Sequence, residues 1–118
     1  MHELGVAQSL LDYLEKAAKE HHLKKIKSVT LKIGKMRQIV PETLVFLFQT
    51  LAEGTIAEQA QLQIELLPVR VHCLQCNQTA DLPPRKYSCP HCGNSSLEWV
   101  SGKELIIDHI EGDPIDAN

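Results

Sequence analysis

Two cysteine pairs carry the clearest chemistry in this sequence: Cys73 and Cys76 in CLQC, and Cys89 and Cys92 in CPHC, with twelve residues between them. A two-residue gap lets one turn present both sulfurs to a single ion, and two such turns complete a tetrahedron. Pro90 stiffens the second turn, and Gly93 can take positive φ just after the last cysteine, freeing backbone amides to point at sulfur. Asn77 stands in the equivalent place after the first pair, and asparagine tolerates that conformation well. Zinc suits such a thiolate tetrahedron because it is redox-silent, with rubredoxin-like iron as the rival. A catalytic dithiol would need only one pair. Four sulfurs fill the coordination sphere and leave no position for a substrate, so the expected role is structural. The formal charge of zinc with four thiolates is -2, which takes the chain from -3 to -5. Arg70, Arg85, Lys86 and Lys103 are the nearby cations expected to offset it. His72 and His91 read either as surface imidazoles or as spare ligands that could exchange onto the metal.

The amino terminus, MHE, offers a weaker signal. The terminal amine and the backbone nitrogen of His2 close a five-membered chelate ring. That nitrogen and the imidazole Nδ1 close a six-membered one. A fourth position can come from the Glu3 amide, its carboxylate or another side chain. Nitrogen-rich square-planar sites suit nickel(II) and copper(II) better than zinc. The plain alternative is a solvated histidine at a chain end. HH at 21–22 falls at a helix end, where imidazolium would complement the dipole, and His109 reads as a strand residue. The sequence shows no Ser/His/Asp set, phosphate loop or close acid pair to support catalysis.

The elements that must position these residues follow from periodicity. Residues 4–20 place Leu4, Ala7, Leu11, Leu14 and Ala18 on one helical face, widened by Leu10 and Ala17. SVTLKIG at 28–34 alternates and predicts a half-buried strand. PETLVFLFQTLAEG predicts a second helix, with Pro41 in its first turn, Glu42 complementing its dipole and Gly54 as its stop. QLQIELL at 61–67 predicts a strand with Leu62, Ile64 and Leu66 facing inward. KELIIDHI at 103–110 predicts a third strand, apolar on both sides and so a candidate for the centre. Residues 70–100 hold all four cysteines and few aliphatics, too little for a core, so they need a staple. The expected fold is α/β (α+β): a small mixed three-stranded sheet with two helices, plus an inserted zinc-ribbon module. The α/β domain spans 1–69 and 101–118, and the ribbon spans 70–100. Strands 61–67 and 103–110 are expected to pair antiparallel, and the tail EGDPIDAN to fray.

Composition narrows the class. The 118 residues are 43% hydrophobic but only 4% aromatic, so the core must be mainly aliphatic. The net charge of -3 gives no electrostatic case for nucleic acid. The start lacks a basic region followed by an apolar one, and the longest apolar run, LVFLF, is too short to span a bilayer. A cytoplasmic protein without membrane contact is expected, and in that compartment disulfides are rare.

MHE at the start, CLQC and CPHC, and the closing SGKELIIDHIEG together resemble the HypA/HybF hydrogenase nickel-incorporation proteins. The resemblance covers nearly the whole chain. It implies a nickel metallochaperone, not an enzyme, that takes transient Ni(II) at His2, with Met1 giving its amine and Glu3 its backbone nitrogen or carboxylate. It also implies structural Zn(II) on Cys73, Cys76, Cys89 and Cys92. Its partners would be a HypB-type GTPase and the large subunit of [NiFe]-hydrogenase, with urease maturation proteins served in some bacteria. Gly5 stands where many relatives have serine and Asn77 where the first knuckle often has glycine; neither alters a ligand. The rival readings are a zinc-ribbon interaction module without a second metal, and a redox enzyme using the cysteine pairs.

Overall fold

The computed structural model describes residues 2–116, and the side chain of His2 lies outside that description. Two compact units emerge: Met1–Leu31, Ile39–Ile64 and Ile107–Asn118 form one, and Lys32–Gln38 with Glu65–Ile106 form the other.

Helix α1 runs His2–Glu20 and buries Ala7, Leu10, Leu11, Leu14, Ala17 and Ala18. That is the expected i, i+3, i+4 stripe, except that Leu4 is 47% exposed, so the stripe begins one turn later. His22, at φ 54, takes the left-handed conformation after the last turn and leads the chain into β1. Helix α2, Pro41–Ala52, buries Leu44, Phe48 and Ala52 at four-residue spacing and packs on α1. Among the described residues Phe48 is the one aromatic with a fully buried side chain; apart from Cys73 and Cys89, the rest of the core is aliphatic, as composition requires.

Strands β1 (Leu23–Gly34), β2 (Gln61–Leu67) and β6 (Leu105–Pro114) form a sheet in the order β2-β1-β6. The expected pairing of 61–67 with 103–110 does not form, because β1 lies between them. Burial explains the order. Ile26, Val29, Leu31 and Ile33 of β1 are at most 1% exposed, whereas Leu105 and Ile106 of β6 are 41% and 46% exposed. The longest, best-buried strand takes the centre, and apolar residues on both faces of β6 do not make it central. Leu66, expected inward, is also exposed, while Leu62 and Ile64 are half-buried.

Two boundaries move outward. β1 starts at Leu23, ahead of the alternating segment. β6 continues to Pro114, into the first half of the segment expected to fray, and Ile115 N–H donates to the His22 carbonyl at 2.7 Å; residues 117 and 118 of that segment lie outside the described residues. Gly112 permits this, since a Cβ there would lie 2.4 Å from the Lys25 carbonyl oxygen. Only a residue without a side chain allows so close an approach.

The second unit contains a small sheet of β3 (Arg70–Cys73), β4 (Thr79–Asp81) and β5 (Leu97–Ser101), in the order β4-β3-β5. Both pairings are antiparallel, with Val71 opposite Ala80 and Trp99 and a register shift between Arg70 and Val71. In and around this small sheet only Val71, Cys73, Leu82 and Cys89 are buried side chains. Four such residues make a very small core, and the module depends on something other than apolar burial.

Candidate metal centre

The end of β3 and the two cysteine turns bring Cys73, Cys76, Cys89 and Cys92 together. One sulfur from each lies within 4.8 Å of every other. Two cross-pairs are closest, Cys73 Sγ to Cys92 Sγ and Cys76 Sγ to Cys89 Sγ, both at 3.6 Å. The sulfurs are not joined as disulfides.

The two turns have the same backbone design. Cys73 N–H donates to the Gln78 carbonyl and Asn77 N–H to the Cys73 carbonyl, both at 2.9 Å. Cys89 N–H donates to the Asn94 carbonyl and Gly93 N–H to the Cys89 carbonyl, both at 2.8 Å. Asn77 and Gly93 occupy matching left-handed positions at φ 60 and 77. This geometry turns amides toward sulfur, as in the His91 N–H to Cys89 Sγ bond at 3.3 Å.

The electrostatics show what the cluster lacks. The Cys92 amide, helped by that of His91, overcomes burial and holds the Cys89 thiol down to about 6. The Cys76 amide, against burial, lowers Cys73 as well. Cys76 is pushed up to about 12: the Gln78 amide opposes the rise, but burial and the neighbouring sulfurs of Cys89, Cys73 and Cys92 outweigh it. Cys92 is raised in the same way, against the Asn94 amide. Four thiols this close cannot all ionise unless a cation joins them. A divalent ion supplies that charge, and an all-sulfur donor set fits zinc.

His72 is not placed as a spare ligand. Its Nδ1 lies 3.1 Å from Thr79 Oγ1 and its Nε2 lies 3.3 Å from Asn77 Oδ1, so both ring nitrogens have partners away from the sulfurs. His91 is exposed and contributes its backbone amide to Cys89. The expected offsetting cations are partly used elsewhere. Arg70 pairs with Asp81 at 2.7 Å, and the Lys103 ammonium sits 4.6 Å from the Trp99 ring centroid.

At the other candidate site, the Met1 amine and the His2 imidazole lie outside the described residues. The backbone of His2 opens α1, where helix geometry gives the first N–H groups no intrahelical acceptor. Glu3 is resolved in a role that periodicity missed: its Oε2 accepts from the Val40 N–H at 3.0 Å. Val40 is the N-cap of α2 and its own side chain cannot cap. The signal was present in sequence as VPE, a helix start without Ser, Thr, Asp or Asn, which needs an outside acceptor.

The chain is similar to known proteins over nearly its whole length. The family described as hydrogenase/urease nickel incorporation, metallochaperone, HypA matches residues 1–112. The chain belongs to the HypA family. A hydrogenase maturation factor HypA of Moorella thermoacetica is 41% identical over 113 residues, covering 96% of this chain and 100% of that one. One from a Picosynechococcus species is 39% identical over 111 residues, covering 94% and 98%. The solution structure of the Ni metallochaperone HypA from Helicobacter pylori superposes with a TM-score of 0.69 at 25% identity, covering 98% of this chain and 100% of that one. HypA is a family of metallochaperones, not of enzymes. Among the described residues no helix is long and apolar enough to cross a membrane.

Proposed function

We propose that this HypA-family chain is a cytoplasmic nickel carrier that binds Ni(II) at Met1, His2 and Glu3 and delivers it for [NiFe]-hydrogenase maturation. Urease maturation is a second destination in keeping with the family description. A HypB-type GTPase and the hydrogenase large subunit are its proposed partners. Cys73, Cys76, Cys89 and Cys92 hold a structural zinc that folds the 70–100 ribbon, while 1–69 and 101–118 form the nickel domain. One observation carries the reading: the family match spans residues 1–112 and so takes in both the Met-His-Glu start and the paired cysteines.

The chemistry divides between the two sites. A closed four-sulfur set retains its ion, because no coordination position is open for exchange. A carrier also needs an accessible site, and a chelate built on a chain end provides one. The amine must lose its proton to bind, and its ordinary pKa of about 7.7–8.0 makes loading favourable above neutrality and release favourable below it. The Glu3 carboxylate already serves Val40, which favours the Glu3 backbone nitrogen as a ligand. With the His2 and Glu3 nitrogens bound as amidates, the nickel site is formally neutral. The positive end of α1 then does not oppose it.

Nickel titration of the zinc-loaded chain tests the proposal. One Ni(II) per chain is expected, lost in His2→Ala while zinc content and fold are retained. A His2→Ala chain with undiminished nickel affinity would refute the assignment. A chain that binds zinc but ignores nickel would instead be a zinc-ribbon interaction module.

A further inference from the structure

The second unit contains an open cleft of about 370 Å³ that neither metal site uses. Three segments enclose it: the 3-10 turn Lys35–Arg37 with Gln38, Val69 just before β3, and the loop from Leu82 to Tyr87. The floor and walls are apolar, from Met36, Val69, Leu82, Pro84 and Tyr87.

The scaffold is tied down on each side. Leu82 N–H donates to the Val69 carbonyl at 2.8 Å, and Met36 N–H to the Gly102 carbonyl at 2.9 Å. Gly34 and Gly102 meet closely enough that a Cβ on Gly34 would fall 2.0 Å from the Gly102 carbonyl carbon. Two lining residues, Gln38 at φ 55 and Arg85 at φ 65, hold backbone that side chains rarely adopt.

Charge decides what such a cleft takes. This unit has seven Lys and Arg against four Asp and Glu, an excess of +3 that the formal -2 of a zinc four-thiolate set leaves at +1, while the rest of the chain has five against eleven. Lys35 and Arg85 line the cleft. The nearby acid, Asp81, accepts from Arg70 Nε at 2.7 Å and from Arg70 Nη2 at 3.4 Å. Arg85 and Lys86 form no ion pair among the described residues. With the single carboxylate of Asp81 shared between Arg70 and Lys35 and none on Arg85, the cleft keeps a cationic lining beside its apolar residues, which fits an apolar side chain flanked by carboxylates.

We propose that this cleft is a docking site for an acidic segment of a partner protein, which places an apolar side chain against Met36, Leu82 and Tyr87 and its carboxylates on Lys35 and Arg85. It is independent of the nickel chelate and would stand if that chelate failed.

The test uses the full zinc-loaded chain, ¹⁵N-labelled, and a capped peptide Asp-Glu-Leu-Phe-Asp-Glu. Saturable amide shifts are expected at Met36, Gln38, Leu82, Arg85 and Tyr87. Affinity should fall at least fivefold in the double variant Lys35→Ser, Arg85→Gly, in which glycine keeps the turn's positive φ. The same loss should follow when Leu-Phe in the peptide is replaced by Ser-Ser, a comparison that needs no protein variant. Charge-conserving Lys35→Arg, Arg85→Lys should bind as the parent does. Shifts centred on Lys24, Lys25 and Lys27, or equal affinity for the Ser-Ser peptide, would overturn the proposal by showing general attraction to a basic surface. Tighter binding of adenosine monophosphate to the same amides would overturn it in favour of a nucleotide. Sedimentation showing a dimer that the double variant abolishes would assign the cleft to a second copy of this chain.

Discussion

Replacing Glu3 by glutamine separates two roles this residue can serve, nickel ligand and cap of α2. The carboxylate accepts from the Val40 N–H at 3.0 Å, at a helix start with no capping side chain of its own. A hydrogen bond to a charged group is worth about 1.5–3 kcal/mol when well desolvated, and Glu3 is only half-buried. Negative charge at a helix N-terminus adds about 0.3–1 kcal/mol. Glutamine keeps a neutral acceptor of the same shape, so the net loss should be about 1 kcal/mol. At about 2.1 cal/mol/K of unfolding entropy per residue, a chain of 118 residues loses about 4 °C in Tm. Calorimetry on the zinc-loaded chain should find that shift, and nickel titration should find affinity within about threefold of the parent. The reasoning is refuted if Glu3→Gln leaves Tm unchanged and loses nickel tenfold or more, for the carboxylate would then be on the metal.

Other outcomes follow from the ribbon. At pH 7 the metal-free Cys89, at about 6, is largely thiolate, while Cys76, at about 12, and the raised Cys92 carry protons. Zinc must displace those protons, so calorimetry in buffers of different ionisation enthalpy should find about two to three released per zinc, and affinity should rise with pH. Gly93→Ala should cost about 1–2 kcal/mol in chemical denaturation, purely through its φ of 77, since nothing lies within 4 Å of the new methyl. Gly34→Ala, whose Cβ would meet Gly102 backbone at 2.0 Å, should disrupt the unit outright and broaden its amide spectrum. His72→Ala should leave four sulfurs around zinc in X-ray absorption, because both ring nitrogens point to Thr79 and Asn77.

Local signals were readable and long-range ones were not. The cysteine spacing foretold the cluster, and the residue after each pair foretold the left-handed turns at Asn77 and Gly93, because turn chemistry depends on a few adjacent residues. The stripes of α1 and α2 were likewise local. Strand order was misread, since chain proximity favoured pairing β2 with β6 while burial gave the centre to β1. The end of β6 looked like a frayed tail because its polar residues hide a backbone match to β1 that depends on Gly112. The short strands β3 to β5 lack enough alternating apolar residues to register as elements. Glu3 looked like a ligand only, because its bond to Val40 spans 37 positions.

Nickel binding by the amino terminus itself is tested by blocking its amine. Nickel affinity should be measured by calorimetry on the zinc-loaded chain beginning at Met1 and on the same chain with Gly-Ser placed ahead of Met1. Binding at the amino terminus predicts that the extension leaves zinc, fold and Tm unchanged and weakens nickel at least a hundredfold. Equal nickel affinity in the two chains would contradict it.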